Sequence, residues 1–196
     1  MATFEIFAHL DVVGRQGWQG DTEERPLTEV GRRQAERIAE ELLAAGPVNG
    51  VFASTNTRCR QSVEPLAKRA GTEVKDAPGF QAPPNQAFGQ GDGSNPLNPA
   101  YQAGSTYADL RKIQAGLPNG RFVICSNGGD IISSLLAFLA GTRGLEVPAQ
   151  LEVSLGGGTA DLRRGNVSTV VLDGDEVILR QRVAAPDFPQ ALPARA

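Results

Sequence analysis

Short apolar runs alternate along the chain with longer segments whose apolar residues recur at helical spacing. The first run, 3–8 (TFEIFA), predicts a strand that ends at His9. Thr28 has the chemistry of a helix N-cap, and the helix behind it is predicted to stop at the Gly-Pro pair 46–47. The remaining predictions are strands at 50–54, 73–76 and 121–126, helices that end at Gly71, begin at Ser105 and cover 131–140, and a final hairpin turning at 173–174.

Two segments lack such patterning. Residues 77–104 are rich in Pro, Gly, Asn and Gln, and they predict a long loop or flap. Residues 186–196 are rich in Pro and Ala, and they predict a flexible C-terminal tail. At a length of 196 residues one domain is the default, so residues 1–185 are predicted to form a single domain.

The order of the elements predicts an α/β fold. Strands that alternate with helices indicate a three-layer α/β/α sandwich with a mostly parallel sheet, and the final hairpin indicates an antiparallel edge. Ligands of such folds bind outside the carboxyl ends of the strands. Three segments follow strands there, namely His9, 54–60 and 127–129. We therefore expect the functional site where these three segments meet.

Composition narrows the function. The formal charge is −3 with a pI near 5.3, which argues against a nucleic-acid partner. We expect a cytoplasmic protein without a membrane partner, because no stretch approaches the ~20 apolar residues of a span and the N-terminus does not resemble a signal peptide. The two cysteines, Cys59 and Cys125, form no metal-binding motif, so neither a metal nor another cofactor is expected.

Histidine occurs once, as His9, and it is the candidate nucleophile or proton carrier. Arg58 in the first turn of the second helix, together with the backbone amides after Gly128, suits an anion. Taken singly, each feature has a plainer interpretation: a hydrogen-bonded structural histidine, a solvated arginine and a simple turn. Cys59 at a helix N-terminus is a more remote nucleophile candidate.

The linear pattern is more specific than its parts. The segment 6–10 (IFAHL) stands where one family has a strand followed by Arg-His-Gly. The segment 26–42 (PLTEVGRRQAERIAEEL) is close to that family's usual sequence at the start of its first helix. The segments 53–67 (ASTNTRCRQSVEPLA) and 121–141 (RFVICSNGGDIISSLLAFLAG) match its two later motifs. The chain thus resembles the histidine phosphatase superfamily, which implies the phosphoglycerate mutase-like fold.

The resemblance implies a chemistry and also shows departures from it. His9 matches the nucleophile that becomes a phosphohistidine, and Arg58 matches the second arginine that grips the phosphoryl group. Ala8 stands in place of the first arginine, Leu10 in place of a glycine, and Asn127 in place of the second histidine. Losing the first arginine and the second histidine would lower the rate acceleration by a factor on the order of 10⁴–10⁶ if the two losses were additive.

Other polar residues complete the expected site. Asn127 and Gly128 are expected to bind substrate, and Arg15 and Arg60 are candidates to replace the missing cation. Asp76 is the candidate acid for the leaving group. Leu10, apolar beside the nucleophile, is expected to make the pocket drier.

Three functions stay open at this point. The first is a phosphomonoester hydrolase that uses a phosphohistidine at His9 and a weakened phosphate pocket. The second is a catalytically impaired pseudo-phosphatase that acts as an anionic-ligand-binding or regulatory module, and the third is an interaction domain with a vestigial pocket. A mutase is disfavoured because 77–104 contains no Lys or Arg to hold a second phosphate. A small phosphorylated or other anionic ligand is the expected partner, with a homodimer possible.

Overall fold

The apolar runs of the sequence form a single sheet. The computed structural model of the chain describes residues 1–81, 97–145, 165–182, 184 and 187–189. Its six strands are β1 (Ala2–Ala8), β2 (Gly50–Ala53), β3 (Val74–Asp76), β4 (Arg121–Ser126), β5 (Val167–Asp173) and β6 (Glu176–Arg182).

The strand order is β3-β2-β4-β1-β5-β6. Pairing is parallel from β3 through β2 and β4 to β1, and it is antiparallel where β5 joins β1 and where β6 joins β5. The hairpin turn contains Gly174 at φ 59°, a left-handed conformation that glycine adopts without strain. The predicted parallel sheet with an antiparallel edge hairpin is confirmed.

In the described part of the chain, four helices cover the two faces of this sheet. Because side chains alternate along a strand, Phe4 and Ile6 of β1 pack with the third and fourth helices, whereas Phe7 packs with the first and second. The predicted three layers are therefore confirmed. The helices are α1 (Glu29–Ala44), α2 (Thr57–Ala70), α3 (Leu97–Gly116) and α4 (Gly129–Arg143).

The ends of α1 and α2 follow the local chemistry that predicted them. The Thr28 hydroxyl accepts a hydrogen bond of 3.0 Å from the Gly31 N–H and so caps α1. Gly71 ends α2 in a left-handed conformation at φ 66°, as expected for a glycine after a helix.

The third helix corrects the prediction for 77–104. It begins at Leu97 rather than at Ser105, and a short 3-10 helix, Pro78–Phe80, precedes it. Its first half lacks an apolar stripe because part of what it buries is polar: Gln102 is 5% exposed and donates a 2.7 Å hydrogen bond to the Gly79 carbonyl. Tertiary contact thus outweighs local composition there. Residues 82–96 of the predicted loop lie outside the described residues.

Part of the predicted tail contacts the domain. Phe188 is 3% exposed and belongs to the core beneath α1 and α2, and the Pro189 carbonyl accepts a 2.6 Å hydrogen bond from the Gln34 side chain. Burial of one aromatic ring therefore holds 187–189 against α1, although this segment lies in a stretch rich in Pro and Ala. Residues 190–196 lie outside the described part of the chain.

Candidate active site

The carboxyl ends of three parallel strands meet at one edge of the sheet. β4 lies between β1 and β2, and its last residues bind both of its neighbours. The His9 N–H donates to the Ser126 carbonyl at 2.9 Å, and the Ser54 N–H donates to the Cys125 carbonyl at 3.0 Å. The three segments predicted to meet are therefore joined by backbone hydrogen bonds.

His9 has a defined ring orientation. Its Nδ1 lies 2.8 Å from the Leu10 carbonyl oxygen, which can only accept a hydrogen bond. The neutral ring therefore carries its proton on Nδ1 and its lone pair on Nε2. The turn itself is held by Ser62 of α2, whose hydroxyl accepts from the Leu10 N–H at 3.1 Å. His9 is partly buried, and in this tautomer Nε2 is the nitrogen that can act as a nucleophile.

Leu10 corrects one expectation. Its side chain is fully buried in the core cluster that includes Leu27 and Ile38. Apolar burial directs it into the α1–α2 layer, so it does not form a dry wall of the open site.

Arg58 occupies the first turn of α2 and is 5% exposed. One terminal nitrogen donates to the Thr22 carbonyl at 2.7 Å, and the other donates to Asn127 Oδ1 at 2.5 Å. Its Nε is buried and has no hydrogen-bond partner. The structure thus joins two predicted site residues, and Asn127 directly follows the residue that binds the His9 N–H.

Asn127 and Gly128 form the turn from β4 into α4. The Asn127 N–H donates to the Phe80 carbonyl at 3.0 Å, which fixes the turn against the 3-10 helix. A Cβ atom on Gly128 would lie 2.2 Å from Asp130 Oδ1, so a larger residue before α4 would have to displace the Asp130 carboxylate. Because Asn127 Oδ1 faces a guanidinium, its amide NH₂ is turned to other partners and can donate to an anion.

Two predicted site residues bind each other instead. Arg60 and Asp76 form an ion pair in which the side chains are 44% and 60% exposed. Among the described contacts, neither side chain bonds to Arg58 or Asn127. This pair runs from α2 to the end of β3 and explains why Arg60 does not serve as the replacement cation in this arrangement. Asp76 is likewise engaged by Arg60 and does not act as the acid in this arrangement.

The cysteine alternative does not suit the structure. Cys59 and Cys125 are free, but both are fully buried within the core cluster of α1 and α2. A buried thiol in apolar surroundings is unreactive. Within the described ranges, no group of three or more His, Cys, Asp or Glu side chains is arranged to hold a metal ion.

Sequence reasoning missed Arg25, which is 7% exposed. It donates to the Val13 carbonyl at 3.2 Å, and its Nε is buried without a partner. Burial lowers the pKa of Arg25, and the positive charges of Arg58 and Arg15 lower it further. Its position directly before the Pro-Leu-Thr motif was the available signal, but a polar loop gave no reason to expect a buried cation.

A polar rim joins the loop before α1 to the end of β2. The Gln81 side-chain oxygen accepts hydrogen bonds from Ser54 and, at 3.2 Å, from Thr55. Its amide donates to Glu23 Oε1 at 3.2 Å. Glu23 follows Thr22, the residue that binds Arg58, so this rim carries a carboxylate that the sequence gave no reason to single out.

The chain resembles known proteins both in sequence and in fold. A model of the histidine phosphatase superfamily (branch 1) matches residues 10–89. The 8-oxo-(d)GTP phosphatase of Mycolicibacterium smegmatis is 36% identical over 127 residues, which are 64% of this chain and 34% of that protein. The chain therefore matches only about a third of that relative's length.

Solved structures share the whole fold. The protein histidine phosphatase SixA, complexed with tungstate, has a TM-score of 0.63 at 16% identity and covers 92% of this chain and 96% of its own. The mycobacterial glucosyl-3-phosphoglycerate phosphatase, complexed with VO3, has a TM-score of 0.64 at 19% identity, with 92% and 97% covered. The fold is thus of the phosphoglycerate mutase-like α/β class. In sequence, the chain is similar to the histidine phosphatase superfamily over residues 10–89.

No helix in the described part of the chain combines the length and the apolar character that a membrane span requires.

Proposed function

We propose that the protein hydrolyses phosphate monoesters through a phosphohistidine on His9. One observation carries the proposal: the buried guanidinium of Arg58 contacts Asn127, whose preceding residue binds the His9 N–H. A nitrogen nucleophile, a fixed cation and an amide donor thereby belong to one hydrogen-bonded unit. This combination suits a phosphoryl group, whose transfer depends on positioning and on charge around its oxygens.

In the first step, the lone pair on His9 Nε2 attacks phosphorus. The N–P bond forms while the bond from phosphorus to the leaving oxygen breaks, and its electron pair stays on that oxygen. The Leu10 carbonyl, which accepts from Nδ1–H, stabilises the positive charge that develops on the ring. Arg58 and the Asn127 amide bind the phosphoryl oxygens.

In the second step, water attacks phosphorus and loses a proton to solvent. The N–P bond breaks, its electron pair returns to Nε2, and inorganic phosphate leaves. No carboxylate is assigned to protonate the leaving oxygen, because Arg60 engages Asp76. We therefore expect the enzyme to prefer esters with a stable leaving group, such as aryl phosphates.

The replaced residues set the expected rate. Removing one preorganised donor typically lowers kcat about 10²–10³-fold. Ala8 has no donor, and Asn127 donates without the charge of an imidazolium. Turnover should therefore be slow but measurable above the uncatalysed reaction.

The first test is aryl phosphate hydrolysis by the whole chain. Wild type should turn over, and His9→Ala should abolish turnover while leaving the melting temperature nearly unchanged. Arg69→Ala is the matched control for Arg58→Ala, because Arg69 lies on the same helix but pairs at the surface with Glu36. Arg58→Ala should lower kcat/KM at least 10²-fold and Arg69→Ala less than twofold. A His9→Ala protein that is as active as wild type would refute the proposal.

A second candidate is a pseudo-phosphatase that binds an anionic ligand without turnover. The unpartnered Nε of Arg58 favours it, because a buried donor without a partner is suited to a ligand oxygen. Inorganic phosphate should then raise the melting temperature of wild type but not of Arg58→Ala. The two candidates differ in one result, which is whether aryl phosphate is hydrolysed.

A further inference from the structure

Two arginines are buried without a counter-charge. Arg25 and Arg58 are 7% and 5% exposed, and they are the buried Lys and Arg residues of the described chain. Within that part of the chain neither belongs to an ion pair, whereas six other arginines do. A buried cation without an anion is costly. The two charges therefore lack the partner that would offset their burial.

The backbone holds Arg25 beside the nucleophile loop. Val12 and Leu27 form an antiparallel bridge, and the Val13 N–H donates to the Pro26 carbonyl at 3.1 Å. The Arg25 guanidinium also donates a hydrogen bond of 3.2 Å to the Val13 carbonyl. Because Val12 lies three residues after His9, this bridge ties the position of Arg25 to the start of the site.

A second contact ties the same segment to the helix that carries Arg58. The Leu27 N–H donates to Gln61 Oε1 of α2 at 2.8 Å. Arg58 lies one turn earlier on α2 and bonds to the Thr22 carbonyl in the segment just before Arg25. The two guanidinium groups are therefore held by one connected set of contacts.

Electrostatics agrees with this proximity. The charges of Arg58 and Arg15 both lower the pKa of Arg25, so three cations converge on one region. The nearby carboxylates have other partners: Asp21 accepts from the Glu23 N–H, and Glu23 accepts from Gln81. Among the described contacts neither carboxylate forms an ion pair with Arg25 or Arg58, so the two buried guanidinium charges are left for another anion.

We propose that Arg25 is the second cation of the oxyanion pocket and offsets the arginine that Ala8 lacks. Its ligand is a tetrahedral oxyanion, either a phosphoryl group or free phosphate. A guanidinium has five N–H donors, and Arg25 commits one of them to Val13. Its buried Nε and that of Arg58 each supply a further donor. The inference rests on the anion pocket proposed above and does not require turnover.

The test measures binding of inorganic phosphate to the full chain by calorimetry at constant ionic strength. Arg25→Gln should weaken binding about 10–100-fold, because a charge-assisted hydrogen bond is lost. Arg25→Lys keeps the charge and should recover part of the affinity. Arg33→Gln is the control, since Arg33 lies nearby in sequence but pairs at the surface with Glu29. It should bind phosphate as wild type does.

The melting temperature without phosphate separates binding from a structural role. Removing an uncompensated buried cation should leave it unchanged or raise it, whereas loss of a structural contact would lower it. Arg25→Gln that is folded and binds phosphate as tightly as Arg33→Gln would overturn the inference. If Arg25 governs phosphate binding while aryl phosphate is not hydrolysed, the inference stands and the proposed hydrolase fails.

Discussion

At the scale of single residues, Gly31 sets how closely α1 approaches the loop after His9. A Cβ at this position would lie 2.0 Å from the Asp11 carbonyl oxygen, which also accepts from the Thr28 N–H at 3.1 Å. We expect Gly31→Ala to lower the free energy of unfolding by about 1–3 kcal/mol through overpacking. Gly141→Ala, in open space on α4, should instead raise it by about 0.5–1 kcal/mol. Urea unfolding of both variants measures the difference, and equal effects would contradict the close approach.

An isosteric substitution of Asn127 tests whether this residue lies in the phosphate pocket. Asn127→Asp keeps the shape and the acceptor that Arg58 contacts at 2.5 Å, but it adds a negative charge to the pocket. The variant should fold at least as stably as wild type and bind phosphate at least tenfold more weakly, because like charges repel. Calorimetric titration measures this, with Asn119→Asp, at a residue that bonds the N-terminal amine, as the control. Undiminished phosphate binding would remove Asn127 from the site.

The sequence motifs pointed to some residues of the proposed site and not to others. His9, Arg58 and Asn127 became candidates because each stands at the end of a predicted strand or the start of a predicted helix. Arg25 was missed because its burial depends on the bridge between Val12 and Leu27, a contact between loops. Leu10 was wrongly predicted to line the pocket because it follows His9 in sequence. Its side chain instead packs in the core, away from the pocket.

At the scale of elements, the ion pair between Glu5 and Arg121 links β1 to β4. Both side chains are mostly buried, and Arg121 also donates to the Leu42 and Gly46 carbonyls at the end of α1. Burial raises the pKa of Glu5 above its ordinary value of 4.5, although Arg121 opposes the rise. Between pH 4.5 and the raised pKa of Glu5, the folded state therefore binds more protons than the unfolded state. The free energy of unfolding falls as the pH rises through this range.

Arg121→Met should enlarge this effect. It leaves the Glu5 carboxylate buried without its cation, so the free energy of unfolding should fall by about 3 kcal/mol at pH 7.5. At pH 5 the loss should be smaller, because a protonated Glu5 has no charge to bury. Urea unfolding at the two pH values checks this, with Arg69→Met at an exposed pair as the control. A loss that is equal at both pH values would contradict the role of Glu5.

Element boundaries followed the sequence wherever local chemistry defines them. Thr28 and Gly71 mark helix ends by side-chain capping and by a left-handed backbone, both readable from residue type. The start of α3 was not readable, because Gln102 and Ala103 are buried by contacts that form only in the folded chain. Helices buried through small or polar residues lack the apolar period on which the prediction depends.

At the scale of the whole molecule, the sheet order brings the candidate site residues together. β4 lies between β1 and β2, so the residues after these strands converge at one edge although they are far apart in sequence. This arrangement was predictable, because parallel α/β sheets bind ligands outside their carboxyl ends. The expected homodimer and cytoplasmic location stay predictions. Sedimentation of the purified chain would check the first, and fractionation of cells would check the second.

The most direct measurement of the central claim is to trap the phosphorylated protein. The chain has one histidine, so a phosphohistidine can form only at His9. Wild type mixed with a radiolabelled aryl phosphate and quenched in alkali should carry a label that alkali preserves and acid releases, and peptide mapping should locate it at His9. His9→Ala should carry none. A wild-type protein that hydrolyses the ester with no such label, or a label that persists in His9→Ala, would contradict the account.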